Sequence, residues 1–128
     1  MPKTEKQVIG DWGEAAALRF LTQQGYEIID TKYRTKSGEI DLIAWHRKKH
    51  HGKTLCFIEV KTRSYGHGSA ERATGPEKMK RMLRAARSYC LSSHISVNAT
   101  PIQFEQVSVY IDPDSKTPRF RMYVIPVD

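Results

Sequence analysis

The stretch GEIDLIAWHRKKHHGKTLCFIEVKTR, residues 38–63, decides the fold. It reads as two strands, 39–45 and 54–62, separated by the polar segment HRKKHHG. Ile40, Leu42, Ile43, Ala44 and Trp45 face Leu55, Cys56, Phe57, Ile58 and Val60, apolar at both strand parities. Strands of that kind lie inside a sheet that is covered on both sides. Glu39, Asp41, Glu59 and Lys61 stand among them and need a reason to be there.

Register supplies one. A turn over 46–53 pairs the strands antiparallel about a centre near residue 50, which sets Asp41 opposite Glu59 and Glu39 opposite Lys61. Facing residues have Cβ atoms about 4.5–5.5 Å apart. The four polar side chains then meet at the open end of the hairpin, and the turn end carries solvated charge. Two carboxylates facing one another repel, and burial adds to the cost. A divalent cation relieves both. Mg²⁺ is held by one or two carboxylates, waters and phosphate oxygens, with Mn²⁺ as a substitute and the Val60 carbonyl as a further oxygen. Lys61 beside it would serve a water or the charge on a phosphate. Glu-x-Lys alone is more often a salt-bridged surface pair. The mirrored Asp41, the apolar flanks and the basic chain favour the chemical reading.

Outward from the hairpin, residues 5–24 read as a helix with Val8, Trp12, Ala15, Ala16, Leu18, Phe20 and Leu21 as its stripe and Gly25 as its stop. Residues 26–29 read as a short strand. Pro76 opens a second helix with Met79, Met82, Leu83, Ala86 and Cys90 inward. Strands over 102–111 and 120–127 follow, joined by DPDSKTP. The order α-β-β-β-α-β-β over 128 residues predicts one α/β domain, a mixed sheet with helices on both faces.

The net charge of +7 favours an anionic partner, nucleic acid first. No apolar run is long enough to span a bilayer. The N-terminal segment lacks the apolar core of a secretory signal, so the cytoplasm is the expected compartment. Cys56 and Cys90 have no metal-ligand spacing and read as small buried hydrophobes. The loop SYGHGSAERATGP lacks the GK[ST] of a phosphate-binding loop. It reads as an ordinary connection or as a flap that offers Tyr65 for stacking on a base. Lys78, Arg81, Arg84 and Arg87 form one basic stripe on the second helix, either a solvated face or a track for phosphates. The tip residues His46, Arg47, Lys48, Lys49, His50, His51 and Lys53 divide in the same way. No Ser–His–Asp or Cys–His constellation can be drawn.

Asp41 followed by Glu59-Val60-Lys61 resembles the PD-(D/E)xK nuclease signature of the restriction-endonuclease-like fold. Gly10, Gly13 and Glu14 in IGDWGEAAA, Gly25-Tyr26, Tyr33-Arg34, residues 38–44 and residues 57–63 extend the likeness. Over nearly the whole chain it resembles the YraN family of endonucleases, similar to archaeal Holliday junction resolvases. Lys32 and Glu105 depart from the asparagine and aspartate usual there. The resemblance implies a Mg²⁺-dependent endonuclease acting on structured or branched DNA, with Asp41 and Glu59 as metal ligands and Lys61 as catalyst. It points Glu14 toward the same site, as ligand or as support for one. Arg63, Tyr65, Lys78, Arg81 and Arg84 are the expected DNA contacts. Glu39 is either a metal contact or an ion partner of Lys61. A homodimer would be expected by analogy if branched duplexes are cut. The rival expectation is a module of the same fold that holds nucleic acid without cutting, and a third is an interaction subunit of a nucleic-acid machine.

Overall fold

The computed structural model describes residues 2–64, 75–111 and 117–127. Its elements are α1 (Glu5–Gln23), β1 (Glu27–Thr35), β2 (Gly38–Lys48), β3 (Gly52–Ser64), α2 (Pro76–Ser92), β4 (Ile102–Ile111) and β5 (Pro118–Ile125). They form a five-stranded mixed sheet in the order β1-β2-β3-β4-β5. Only the β3–β4 pair is parallel, and the crossover between those strands carries α2.

Thr4 starts α1 because its hydroxyl accepts the Gln7 N–H while the Gln7 side chain accepts the Thr4 N–H, a reciprocal cap. The helix ends before Gly25, whose φ of 92° favours glycine. Its buried stripe is Gly13, Ala16, Ala17 and Leu21, which corrects the expected one. Val8, Trp12 and Ala15 are exposed, and Leu18 and Phe20 are half-buried. Small residues let α1 approach the sheet closely: a Cβ on Gly13 would overlap the Thr62 hydroxyl of β3.

Each face has its own core. Under α1, Ala16, Ala17 and Leu21 pack on Leu42, Ala44, Cys56, Ile58, Val107 and Val109. Under α2, Met82, Ala85, Ala86, Tyr89 and Cys90 pack on Ile40, Ile43, Leu55, Phe57 and Phe104. The expectation of inner strands covered on both sides holds. Both cysteines are free and buried. Among the described residues no helix is long and apolar enough to cross a membrane.

β1 is far longer than the 26–29 expected. Its sequence EIIDTKYRT lacks clean alternation because register shifts between Ile28 and Asp30 and Lys32 takes a φ of 51°. An asparagine, usual at position 32 in the family resembled, tolerates that conformation better than lysine. The β2–β3 strands also run further toward each other than expected. The turn shrinks to Lys49, His50 and His51.

Candidate active site

The hairpin register is the one expected. Lys48 pairs with Gly52 and Leu42 with Ile58, so the centre falls at residue 50. The recorded ladder stops there, one step short of Asp41 and Glu59. Asp41 instead turns its carboxylate onto the backbone of β3, and Oδ2 accepts the Val60 N–H at 2.7 Å. Val60 thus holds the carboxylate through its N–H.

Alternation along β3 puts Glu59 on the same face as Leu55 and Phe57, under α2. There it is almost wholly buried and forms an ion pair with Lys78 of the first turn of α2. Lys61, two residues on, is half-buried and coupled electrostatically to Glu59. Glu14 reaches the same neighbourhood from α1. It is bridged to Lys32 of β1 at 3.6 Å, and its charge acts on Asp41.

The electrostatics follow from that crowding. Burial pushes the Asp41 carboxyl up to about 7; the charges of Glu59 and Glu14 add to this, and the Val60 N–H and Lys78 oppose it. Burial likewise raises Glu59 despite Lys78 and Lys61. Burial lowers Lys61, with Lys78 and Arg63 pushing the same way and Glu59 resisting. Two acids that release their protons less readily than usual stand beside a lysine that releases its proton more readily. Groups tuned toward neutrality in this way suit general acid–base work and cation binding.

Glu39 does not join the cluster as expected. It pairs with Arg34 across the β1–β2 ladder, with its Oε2 3.2 Å from Arg34 Nε, and both side chains are exposed. The opposition to Lys61 fails because the β2–β3 ladder ends before Glu39, and the β1 partner claims that residue. Of the expected DNA contacts, Arg63 is half-buried, Lys78 is committed to Glu59, and Arg81 and Arg84 are exposed. Tyr65 lies outside the described residues, as does the loop 65–74.

The turn end corrects a second expectation. Its charges are not all solvated: the half-buried Lys48 pairs with Glu105 at 2.8 Å, His46 stacks on Tyr26, and Lys53 lies over the Trp45 ring. Arg47, Lys49, His50 and His51 are the exposed remainder.

Two site residues went unnoticed in the sequence. Parallel pairing puts Gln106 beside Glu59 and Ser108 beside Lys61, both fully buried, with the Gln106 amide donating to the Ser108 hydroxyl at 3.1 Å. Their signal was present in QVSV, where polar and apolar residues alternate within a buried strand.

Among the described residues no group of three or more His, Cys, Asp or Glu side chains stands ready to hold a metal ion. The donor set still fits Mg²⁺, which needs only one or two carboxylates when waters and a phosphate complete its shell. Asp41 and Glu59 would be the pair to supply them, with Glu14 within electrostatic reach.

A family model described as "Uncharacterised protein family UPF0102" matches residues 13–122. A UPF0102 protein of Herminiimonas arsenicoxydans is 36% identical, covering 80% of this chain and 87% of the relative. A second, from Caldanaerobacter subterraneus subsp. tengcongensis, is 32% identical and covers 91% of each. A third, from Acetivibrio thermocellus, is 38% identical over 86% of this chain and 81% of its own. None of these names carries an activity.

Proposed function

The chain belongs to the UPF0102 family, and from its site we propose a Mg²⁺-dependent endonuclease of restriction-endonuclease-like fold, within the YraN resemblance, that hydrolyses phosphodiesters of structured or branched DNA. The observation that carries this reading is the half-buried Asp41 and the buried Glu59, both carboxyls raised above their ordinary values, next to Lys61. Buried acids without enough partners are costly to a fold, and a cation-dependent reaction gives them a purpose.

In this reading Asp41 and Glu59 hold the metal, and Glu14 and the Val60 carbonyl complete or support its shell. The bound ion would supply Lewis acidity and a more acidic water. The chain's own residues do the rest. The Val60 N–H fixes the Asp41 carboxylate in place. Burial makes the Lys61 ammonium release its proton more readily; the neutral amine takes a proton from the attacking water, or the ammonium offsets charge on the phosphate. Gln106 and Ser108 wall the face on which Glu59 and Lys61 stand. The setting is the cytoplasm, and two subunits would pair on a branched duplex.

Incubation with branched, flapped and single-stranded DNA in Mg²⁺ or Mn²⁺ tests the proposal. We expect cleavage of at least one substrate, abolished in Asp41→Ala and reduced about 10²–10³-fold in Lys61→Ala. No cleavage, or equal cleavage by the variants, would refute it. The second reading, nucleic-acid binding without cutting, draws on one observation: Lys78 already neutralises Glu59. It predicts an affinity that survives Asp41→Ala and needs no metal.

A further inference from the structure

A recess of about 350 Å³ opens between the β1–β2 turn and the start of α2. Lys36, Ser37, Lys78 and Arg81 line it, with the ion-paired Arg34 and Glu39. Only Lys78 and Arg81 come from the basic stripe of α2; Arg84 and Arg87 line a different depression with Ser88 and Leu91. The helical stripe read from the sequence is therefore split, and its first half joins a turn that carried no functional expectation.

The walls are fixed by backbone. Gly38 lies against the Arg81 carbonyl so closely that a Cβ would overlap it. The Thr35 hydroxyl braces the turn, accepting the Ser37 N–H at 3.2 Å and donating to the Gly38 carbonyl at 3.1 Å. The Tyr33 and Ser88 hydroxyls meet at 3.0 Å and tie β1 to α2. A recess held this way needs little ordering on binding.

Its charge is lopsided. Lys36 and Arg81 are exposed and have no acidic partner among the described residues, and the one acid in the lining, Glu39, is paired with Arg34. Cations left without partners in a concave surface attract anions strongly. Lys78 is shared with the candidate active site, because its ammonium pairs with Glu59. An anionic chain lying in the recess would run directly past the carboxylates.

We propose that this recess seats the sugar-phosphate backbone of the substrate strand on one side of the reacting phosphodiester, with Lys36 and Arg81 as its phosphate contacts. The inference rests on the nucleic-acid reading of the site, though not on cleavage. Binding of a fluorescein-labelled DNA duplex to the full chain in EDTA, measured by anisotropy across a salt series, isolates it. Lys36→Ala/Arg81→Ala should weaken binding about tenfold or more near 0.1 M salt and flatten the log-affinity against log-salt slope by about 2. Arg19→Ala/Lys80→Ala removes the same charge from exposed positions outside the recess and should cost less than half as much. Unchanged melting temperatures would show both variants folded. An equal loss in the two variants, no loss in the first, or no DNA binding by the unaltered chain would overturn the proposal. A chain that binds as described without cutting would refute the endonuclease and leave the recess standing. One that cuts with Lys36→Ala/Arg81→Ala unimpaired in binding would do the reverse.

Discussion

At the turn end of the β2–β3 hairpin Glu105 is 1% exposed, and at the open end Glu59 is 3% exposed. Burial is the same, and the chemistry is opposite. Burial raises Glu105, but Lys48, the Tyr26 hydroxyl at 2.6 Å and the Gln103 amide at 2.7 Å outweigh it and bring the carboxyl below its ordinary range. Glu59 and Asp41 have too few partners to do the same and stay above theirs. At one end Glu105 has its full set of partners. At the other Glu59 and Asp41 do not. Buried acids therefore say little about function until their partners are counted.

Removing a partner from the completed end should have the largest effect on stability. Lys48→Met strips the buried Glu105 of its ammonium, which costs about 3 kcal/mol, or roughly 10 °C in melting temperature for a chain of this size. Lys48→Met/Glu105→Gln removes the stranded charge and should recover most of that loss. If the double variant is no better than the single, the network is not what lowers Glu105. Neither change should depend on divalent cations, because the network lies at the far end of the hairpin.

The incomplete end should respond in the opposite sense. Asp41 binds its proton up to a pH of about 7 in the folded chain, against 3.8 for the ordinary group. Between those values the folded state holds more protons than the unfolded one, so stability falls as pH rises through that window. Asp41→Asn keeps an oxygen for the Val60 N–H and deletes the charge. In EDTA at pH 8 it should melt about 5 °C higher than the unaltered chain, and its melting temperature should fall less between pH 5 and 8. A gain in stability with loss of the proposed activity would separate this end from the first. A loss of stability at pH 8 would mean that Asp41 is as well partnered as Glu105.

The two ends also differed in how far the sequence exposed them. Asp41 and Glu59 could be brought together on paper because a short turn fixes antiparallel register, and one count about residue 50 places every pair from Lys48–Gly52 to Leu42–Ile58. Glu105 could not be joined to Lys48, nor Gln106 to Glu59, because both depend on the parallel β3–β4 register. The long crossover between those strands leaves that register free of any turn constraint. Glu39 went to the wrong partner for a related reason: β1 hides its length behind a bulge and the left-handed Lys32, so Arg34 was not visible as a neighbour. The α1 stripe was misread because close packing selects Gly13, Ala16 and Ala17 over the larger Val8 and Trp12. Local pattern gave the elements and the hairpin; contacts made across layers needed the structure.

The smallest expected effect on stability makes the sharpest test of incompleteness. Lys78 is a cation in the first turn of α2, where the helix dipole disfavours positive charge, so its place depends on Glu59. Its side chain is 42% exposed, and solvent screening keeps the pair well under about 1 kcal/mol. In EDTA, Lys78→Met should therefore lower the melting temperature by only a few degrees. Its effect on metal should be larger. If Lys78 and a divalent cation compete for the same carboxylate, Lys78→Met binds Mn²⁺ several-fold tighter by calorimetry and gains more stability from it than the unaltered chain does. Lys48→Met, tested beside it, should show no such gain. Equal or weaker Mn²⁺ binding by Lys78→Met would mean that Lys78 completes the Glu59 site as Lys48 completes Glu105, and the contrast between the two ends of the hairpin would collapse.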